Sequence, residues 1–312
     1  MPVGNSLTKL KRFLTDPKQR FAYLAVLGVF NGFSDETYLK MRYKREMNRP
    51  LNLEHPTLYT EKLNWLKLYD RRPEYVVMAD KVKAKEYVAE KFGAQYIIPT
   101  LGVWEDPEEI DFDALPEQFV LKCNHNSGTG MCICKDKKAL DIPKVKKELR
   151  RGLKENYYKK FREWPYKNIP RRILAEQYMV DESGVELRDY KVHCFNGEPR
   201  LMEYHRGRFA KHNKHYMEYY DMQCKRTDFR QEGYEAAPDP LKKPECWDDM
   251  IEKSRVLAQE IPYLRVDWYF ANGQLYFGEM TFYDGAGFSP FVGEQEALVG
   301  SWLQLPQKTN TI

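Results

Sequence analysis

Two apolar-rich stretches near the C-terminal end, Leu264 to Phe270 and Leu275 to Phe282, flank Asn272-Gly273. Asn-Gly is the strongest short hairpin signal, because both residues accept the positive φ that a tight turn between twisted strands demands. An antiparallel pair is therefore expected here, with polar residues at alternate positions. Register decides which of them share a face, since side chains alternate with period two. A two-residue Asn-Gly turn pairs Asp267 with Gly278 and sends Glu279 to the other face. A three-residue loop, Ala271-Asn272-Gly273, pairs Phe270 with Gln274, sets Arg265 opposite Glu279, and lines one face with Arg265, Asp267, Glu279 and Thr281. Two carboxylates beside an arginine suit a magnesium–nucleotide site. Hard oxygens hold the metal, and a cation steadies charge on a transferring phosphoryl or acyl group. The same residues would also make a solvated face with an Arg–Glu cross-strand pair.

The chain has 312 residues, room for one large domain or two to three small lobes. At 42% apolar and 31% charged it reads as a soluble globular protein. A net charge of +4 gives no sign of a nucleic-acid partner, which would favour a clustered basic face. Aromatics at 14%, interleaved with Lys and Arg, suit planar or polar ligands. Cys123, Cys132, Cys134, Cys194, Cys224 and Cys246 form no regular framework, and no secretory signal is read, so reduced thiols in a cytoplasmic protein are expected. Cys132 and Cys134 lack the second pair of a zinc site. No run approaches the ~20 apolar residues of a membrane span. The nearest, Phe21 to Phe33, follows a basic stretch with Lys9, Lys11, Arg12, Lys18 and Arg20. It reads as a helix packed on the protein or, through residues 1–33, as a peripheral contact with the inner membrane face.

Residues 1–75 read as helical, with Tyr59, Leu63, Leu66 and Tyr69 on one stripe and Thr57 as N-cap. Asp80-Lys81 opens a further helix that ends near Gly93. Short extended pieces follow at 97–104. Phe119 to Lys122 and Met131 to Lys135 read as strands around a polar loop, Asn124 to Gly130. Residues 136–168 read as basic and helical. Strands are expected over 172–180 and 190–195, a loop-rich insertion over 207–245, and a helix over 247–261.

Lys122 ends its strand just before the Gly-bearing loop, where a lysine can meet phosphate oxygens while backbone N–H groups of Ser127, Gly128 and Gly130 cover them. The loop lacks the Gly-Lys-Ser/Thr of a Walker A sequence, and a surface hairpin is the plainer reading. Glu176, Gln177 and Tyr178 end an apolar strand and offer backbone groups to an adenine edge. Asp189 and Lys191 share a face, a carboxylate for ribose and a lysine for phosphate, or a structural salt bridge. His125, His193, His205, His212 and His215 show no metal spacing.

Taken in order, these pieces resemble the ATP-grasp superfamily: a strand Lys, a Gly-rich lid, an acid-bearing hinge strand, a second basic position, an Arg-x-Asp strand and a Glu-x-Asn strand. The last two read Arg265-Val266-Asp267 and Glu279-Met280-Thr281. At closer range the chain resembles the TupA-like ATP-grasp proteins of teichuronopeptide and bacterial surface-polysaccharide (capsule) biosynthesis. Glu61-Lys62-Leu63-Asn64-Trp65, Asp80-Lys81, Phe119 to His125, Glu163-Trp164-Pro165-Tyr166, Asp189-Tyr190-Lys191, Phe195-Asn196-Gly197 and Phe277 to Phe282 carry that likeness.

The resemblance implies an α+β ATP-grasp fold whose two lobes sandwich ATP. A helical region (1–75), a small lobe (76–118), a first lobe with the lid (119–180), a second lobe with the metal site (181–305) and a tail (306–312) are expected. It implies that Lys122 and Lys191 contact phosphates, that Glu176 to Tyr178 seat adenine and Asp189 the ribose, and that Asp267 and Glu279 bind Mg²⁺. Arg265, with Lys191, is the expected catalytic residue, steadying an acyl phosphate. Thr281 stands where the superfamily has Asn, which weakens a third metal contact. The implied activity joins a carboxylate to an amine co-substrate, on a small molecule or glycan. Arg206, Arg208 and His125 are candidates to hold that substrate. A glycan or sugar kinase of the same fold and a glycosyltransferase of the same pathway are the alternatives.

Overall fold

The computed structural model describes residues 15–208 and 214–308. Helices α1 (Pro17–Val26), α2 (Asp35–Met47), α3 (Tyr59–Tyr69), α4 (Glu74–Ala79) and α5 (Lys83–Phe92) come first. Strand β1 (Thr100–Trp104) leads into the hairpin β2 (Phe119–Cys123) and β3 (Met131–Cys134). Helices α6 (Ile142–Lys154) and α7 (Tyr157–Phe161) precede β4 (Ile173–Gln177). A second run follows: β5 (Asp189–Phe195), β6 (Glu198–Arg206), β7 (Tyr216–Tyr220), α8 (Trp247–Ala258), β8 (Tyr263–Ala271), β9 (Gln274–Thr281) and α9 (Gln295–Trp302).

The strands make two antiparallel sheets, ordered β1-β4-β2-β3 and β7-β6-β5-β8-β9. Each sheet has its own apolar core. Phe119, Leu121, Ile173 and Ala175 of the small sheet pack with Val145 and Leu149 of α6. The larger sheet shares a core with the N-terminal helices, where Tyr38, Tyr59, Leu63 and Met78 join Val192, Leu264, Trp268 and Met280. The aromatic content is thus largely interior: Tyr59, Tyr263 and Phe291 meet edge to face.

Tyr59, Leu63 and Leu66 of the expected apolar stripe of α3 are buried, but so are Thr60, Glu61, Asn64 and Lys67 on its other faces, and Thr57 is not its cap. Glu61 accepts from the N–H groups of Thr57 and Leu58 at 3.1 and 3.2 Å, filling that role from inside the helix. The helix expected from Asp80 starts at Lys83, because Asp80 binds Val82 N at 2.9 Å and ends α4. The 207–245 region is less irregular than expected: it contains β7, and β6 before it also went unread. Phe21 and Ala25 of α1 are buried, while Tyr23, Val26, Leu27 and Val29 stay exposed. Lys9, Lys11 and Arg12 lie outside the described residues. No helix among the described residues is long and apolar enough to cross a membrane.

Candidate active site

The β8–β9 hairpin turns through two residues, Asn272 at φ 54° and Gly273 at φ 72°. Ala271 pairs with Gln274 and Trp268 with Phe277. The three-residue loop is therefore not formed. That register alone would separate the two carboxylates. A β-bulge repairs it: between Trp268 and Asp267 the pairing slips by one residue, Gly278 is left unmatched, and Asp267 faces Glu279 while Arg265 faces Thr281. Gly278 has to be glycine, since a Cβ there would lie 2.9 Å from the Asp267 carbonyl oxygen and 3.0 Å from the Tyr269 ring.

Arg265 is held from two sides. Its Nε and Nη2 donate to the two oxygens of Asp267 at 2.7 and 2.9 Å, and Nη1 donates to Asp284 at 2.5 Å. Its Nη2 also reaches Thr281 Oγ1 at 3.3 Å and lies 3.6 Å from Glu279. Asp284, in the turn after β9, was not foreseen; nothing periodic marks it in the sequence. Lys191 of β5, which pairs with Asp267 in register, ion-pairs with that carboxylate and stands 3.7 Å from Asp189. Burial alone would lower the Lys191 amine, but Asp189 and Asp267 outweigh it and raise it. Arg208 donates to Asp189 at 3.0 Å.

The facing side comes from the helices and the small sheet. Lys81, between α4 and α5, sits 3.3 Å from Glu279 and donates at 3.0 Å to the Asn126 carbonyl of the glycine-bearing loop. Burial would raise the Glu279 carboxyl, yet Lys81, Lys191, Arg265 and Lys122 bring it down to about 2. Lys122 and Lys85 both grip Glu176, at 2.5 and 2.7 Å. They overcome its burial and hold its carboxyl below the usual range. Lys81 and Lys85 were missed as site residues, although Asp80-Lys81 stood out as a motif.

Several candidates sit away from the Arg265 face. Ser127 and Gly128 form an exposed loop tip, but Asn124, His125 and Asn126 are buried and tied down. Asn124 donates to Asp80 and the Pro170 carbonyl at 2.8 and 2.9 Å, and Asn126 donates to the Gly152 carbonyl at 3.1 Å. His125 Nε2 lies 3.1 Å from the Glu155 carbonyl, and its buried Nδ1 has no partner among the described residues. Gly130 packs on α6: a Cβ would come within 2.7 Å of Gly152 Cα, and its N–H donates to Glu148 at 3.3 Å. It is a packing glycine there. Arg206 faces away from Asp189 and Lys191. It binds Glu218 through Nε at 2.9 Å, because β6 alternates and Glu203 and His205 take the site side. Gln177 is exposed, its N–H donating to Pro99 O at 3.0 Å, and Tyr178 lines an open pocket with Leu101, Gln118 and Lys135.

Beyond Lys191 the same face continues as a buried network. Glu203 lies 3.2 Å from His193 Nε2 and accepts from Tyr219 at 3.1 Å, and it also binds His205 at 2.5 Å. His205 meets His215 at 2.8 Å. Burial would raise the Glu203 carboxyl, but His193 and His205 hold it well below its usual value.

Among the described residues no group of three or more His, Cys, Asp or Glu side chains is arranged to hold a metal by itself. Asp267 and Glu279 face each other among four cations, which suits a magnesium ion completed by phosphate oxygens better than a caged metal.

Two antiparallel sheets, with Lys81 ahead of the small one reaching Glu279 of the large one, make an α+β fold. The chain belongs to the TupA-like ATP-grasp family, whose model matches residues 61–301. Similar solved structures include the D-alanine–D-alanine ligase from Bacillus anthracis complexed with ATP (15% identity, TM-score 0.41, 66% of this chain and 55% of that one). Others are the same ligase from Helicobacter pylori (12%, 0.43, 80% and 69%) and the ATP-grasp ligase PsnB complexed with minimal precursor, Mg and ADP (10%, 0.40, 83% and 67%). The chain thus spans little more than half the length of the Bacillus anthracis ligase. No curated protein sequence matches it significantly. The family match alone carries the assignment.

Proposed function

We propose that the chain is a cytoplasmic ATP-dependent carboxylate–amine ligase working through an acyl phosphate on a bacterial surface-polysaccharide substrate or its precursor. The family resemblance supports the pathway. The observation that carries the chemistry is the Arg265 clamp: a guanidinium fixed by Asp267 and Asp284 with one edge turned to Glu279 and Thr281. In this reading Asp267 and Glu279 hold Mg²⁺, with Thr281 beside them. Lys122, Lys191 and Lys81 meet phosphates. Glu176 to Tyr178 border the adenine, Asp189 the ribose, and Arg208 the substrate. Mg²⁺, when bound, neutralises charge developing on the transferring phosphoryl group. The residues fit because each lysine is already paired with a carboxylate: Lys81 with Glu279, Lys191 with Asp267, Lys122 with Glu176. With Asp267 and Glu279 as the residues that would hold Mg²⁺, Lys191 and Lys81 would be released to bind phosphate oxygens. Arg265 then faces charge on the acyl group, and ligation needs no nucleophilic side chain.

Calorimetry with Mg-ATP and with UDP-sugars, followed by hydroxylamine trapping with uronic and amino acids, tests this. ATP binding and hydroxamate formation are expected. Tight UDP-sugar binding without ATP binding would overturn the reading, and phosphorylated product without hydroxamate would point to a kinase.

A further inference from the structure

Helix α1 has two apolar sides, and only one of them meets the rest of the fold. Phe21 and Ala25 lie on the inner side and are buried. Phe21 stacks on Phe30 with ring centroids 4.6 Å apart and leans on Tyr38 of α2 at 5.7 Å. At about 100° per residue, Tyr23, Val26 and Leu27 fall on the opposite side, within an arc of about 100°. Leu27 keeps the helical turn, its N–H donating to the Tyr23 carbonyl at 3.0 Å, and the Val29 N–H donates to the Leu24 carbonyl at 3.1 Å. Phe33 follows, its ring 5.8 Å from that of Phe30. Of the five most exposed large apolar side chains among the described residues, four are here: Val26 at 67%, Leu27 at 60%, Val29 at 57% and Tyr23 at 55%. Single exposed apolar residues are ordinary, but a run of them on one short segment marks a surface that something covers. The inner contacts already seat α1 on the fold, so its outer side is free for a partner.

The surroundings say which partner. Arg20 is exposed on the same helix, and the Arg45 guanidinium stands 5.7 Å from the Phe21 ring centroid. Arg162 donates through Nη2 to the Phe30 carbonyl at 3.0 Å and through Nη1 to the Lys159 carbonyl at 3.1 Å, which brings the exposed Lys159 of α7 to the same corner. Nearby acids are engaged within the fold: Asp35 binds Arg71 and Tyr158, both at 2.6 Å, and Glu46 lies 3.6 Å from Arg42. The sequence deepens the asymmetry. Its first 20 residues hold Lys9, Lys11, Arg12, Lys18 and Arg20 against Asp16, an excess as large as the +4 of the whole chain. An apolar face rimmed by cations matches an anionic bilayer, whose acyl boundary takes the apolar side chains while its headgroups take the charges. A second copy of this chain fits worse, because a two-fold contact would set the same cations against each other.

We propose that the outer side of α1 and the turn after it, residues 23–33, dock peripherally on an anionic lipid bilayer. This does not depend on the ligase reading, since none of these residues belongs to the face around Arg265.

The test is co-sedimentation of the full chain with vesicles of phosphatidylcholine alone and of phosphatidylcholine mixed with an equal part of phosphatidylglycerol. The wild type should bind the anionic vesicles, bind the neutral ones far more weakly, and lose affinity as salt is raised, because the rim charges are exposed. The double variant Val26→Ser, Leu27→Ser should lower the partition coefficient roughly tenfold or more, since two large apolar side chains no longer leave water. Its melting temperature should stay that of the wild type, both positions being exposed. Lys159→Gln should weaken binding to the anionic vesicles about fivefold, the effect of one cation near the surface. Equal binding by the serine variant overturns the proposal, as does no binding of the wild type to anionic vesicles or equal binding to both kinds. So does self-association of the wild type in sedimentation velocity that the serine variant abolishes, which would give this surface to a second copy of the chain.

Discussion

Arg265 donates to Asp267 through two nitrogens and to Asp284 through a third, so its plane cannot turn without breaking charge-assisted bonds. Asp267 in turn accepts from Lys191, and Glu279 lies 3.3 Å from the Lys81 ammonium. On the proposed assignment, neutralising either carboxylate removes charge that would hold Mg²⁺, and it leaves a lysine unbalanced. Asp267→Asn and Glu279→Gln should each lower ATP turnover by on the order of 10² or more, measured as ADP release. Near wild-type turnover in both would refute the metal assignment. Glu163 makes a second, pH-dependent prediction. Burial pushes its folded carboxyl up to about 7 from an ordinary 4.5, so the folded state binds the extra proton in that window. Ionising it costs stability as pH rises from about 4.5 to 7, and the full cost is present above 7. Glu163→Gln should therefore melt a few degrees above wild type at pH 8 and at the same temperature at pH 4. A constant difference across pH would show that the charge is not the cause. Burial lowers Lys67 to about 7 while the Glu163 charge raises it, so the comparison is repeated in a Lys67→Met background, where that coupling is absent.

At the scale of elements, the bulge decides the site. Gly278 is the residue without a partner, and the space around it has no room for a methyl group. Gly278→Ala should weaken Mg-dependent ADP binding at least severalfold, because relieving the clash with Asp267 moves Glu279. Gly273→Ala meets no atom within 4 Å but keeps a φ of 72°, so it should cost about 1 kcal/mol of stability with nucleotide binding intact. Calorimetry and thermal melts on both variants separate the two effects. The hairpin itself was legible from Asn272-Gly273 and the alternating apolar positions. The bulge was not, since a glycine between Phe277 and Glu279 looks like any strand glycine until the partner backbone is in place. Strand β6 was hidden for a related reason. Its site-side residues, Glu203 and His205, are polar, so the run Leu201 to Arg206 lacks the apolar alternation that marks a half-buried strand. Lys122, Asp189 and Lys191 were legible because each sits at the end or on one face of an apolar strand. Asp284 and Glu163 lie in turns, where position follows from tertiary packing rather than local pattern.

Across the whole molecule, the apolar cores follow the two sheets: one under the small sheet and α6, the other joining the N-terminal helices to the large sheet. The polar cleft is bridged by Lys81 to Glu279, and Ile97 pairs with Phe277 at the edge of β9. A nucleotide touching both sides should stabilise them together. At about a hundred times its Kd, Mg-ADP should add about 2.7 kcal/mol and raise Tm by roughly 5 °C or more. No shift with Mg-ADP would mean that the cleft does not bind it. The lysine–carboxylate pairs add a consequence for how ligands arrive. With Lys81 on Glu279 and Lys191 on Asp267, the face resembles a loaded ion exchanger whose fixed anions already carry counterions. Divalent metal offered alone must displace tethered cations that have no new anion to meet, whereas metal arriving with polyphosphate gives both sides a partner. On the proposed reading, metal and nucleotide affinities should be thermodynamically linked, each raising the other by the same factor.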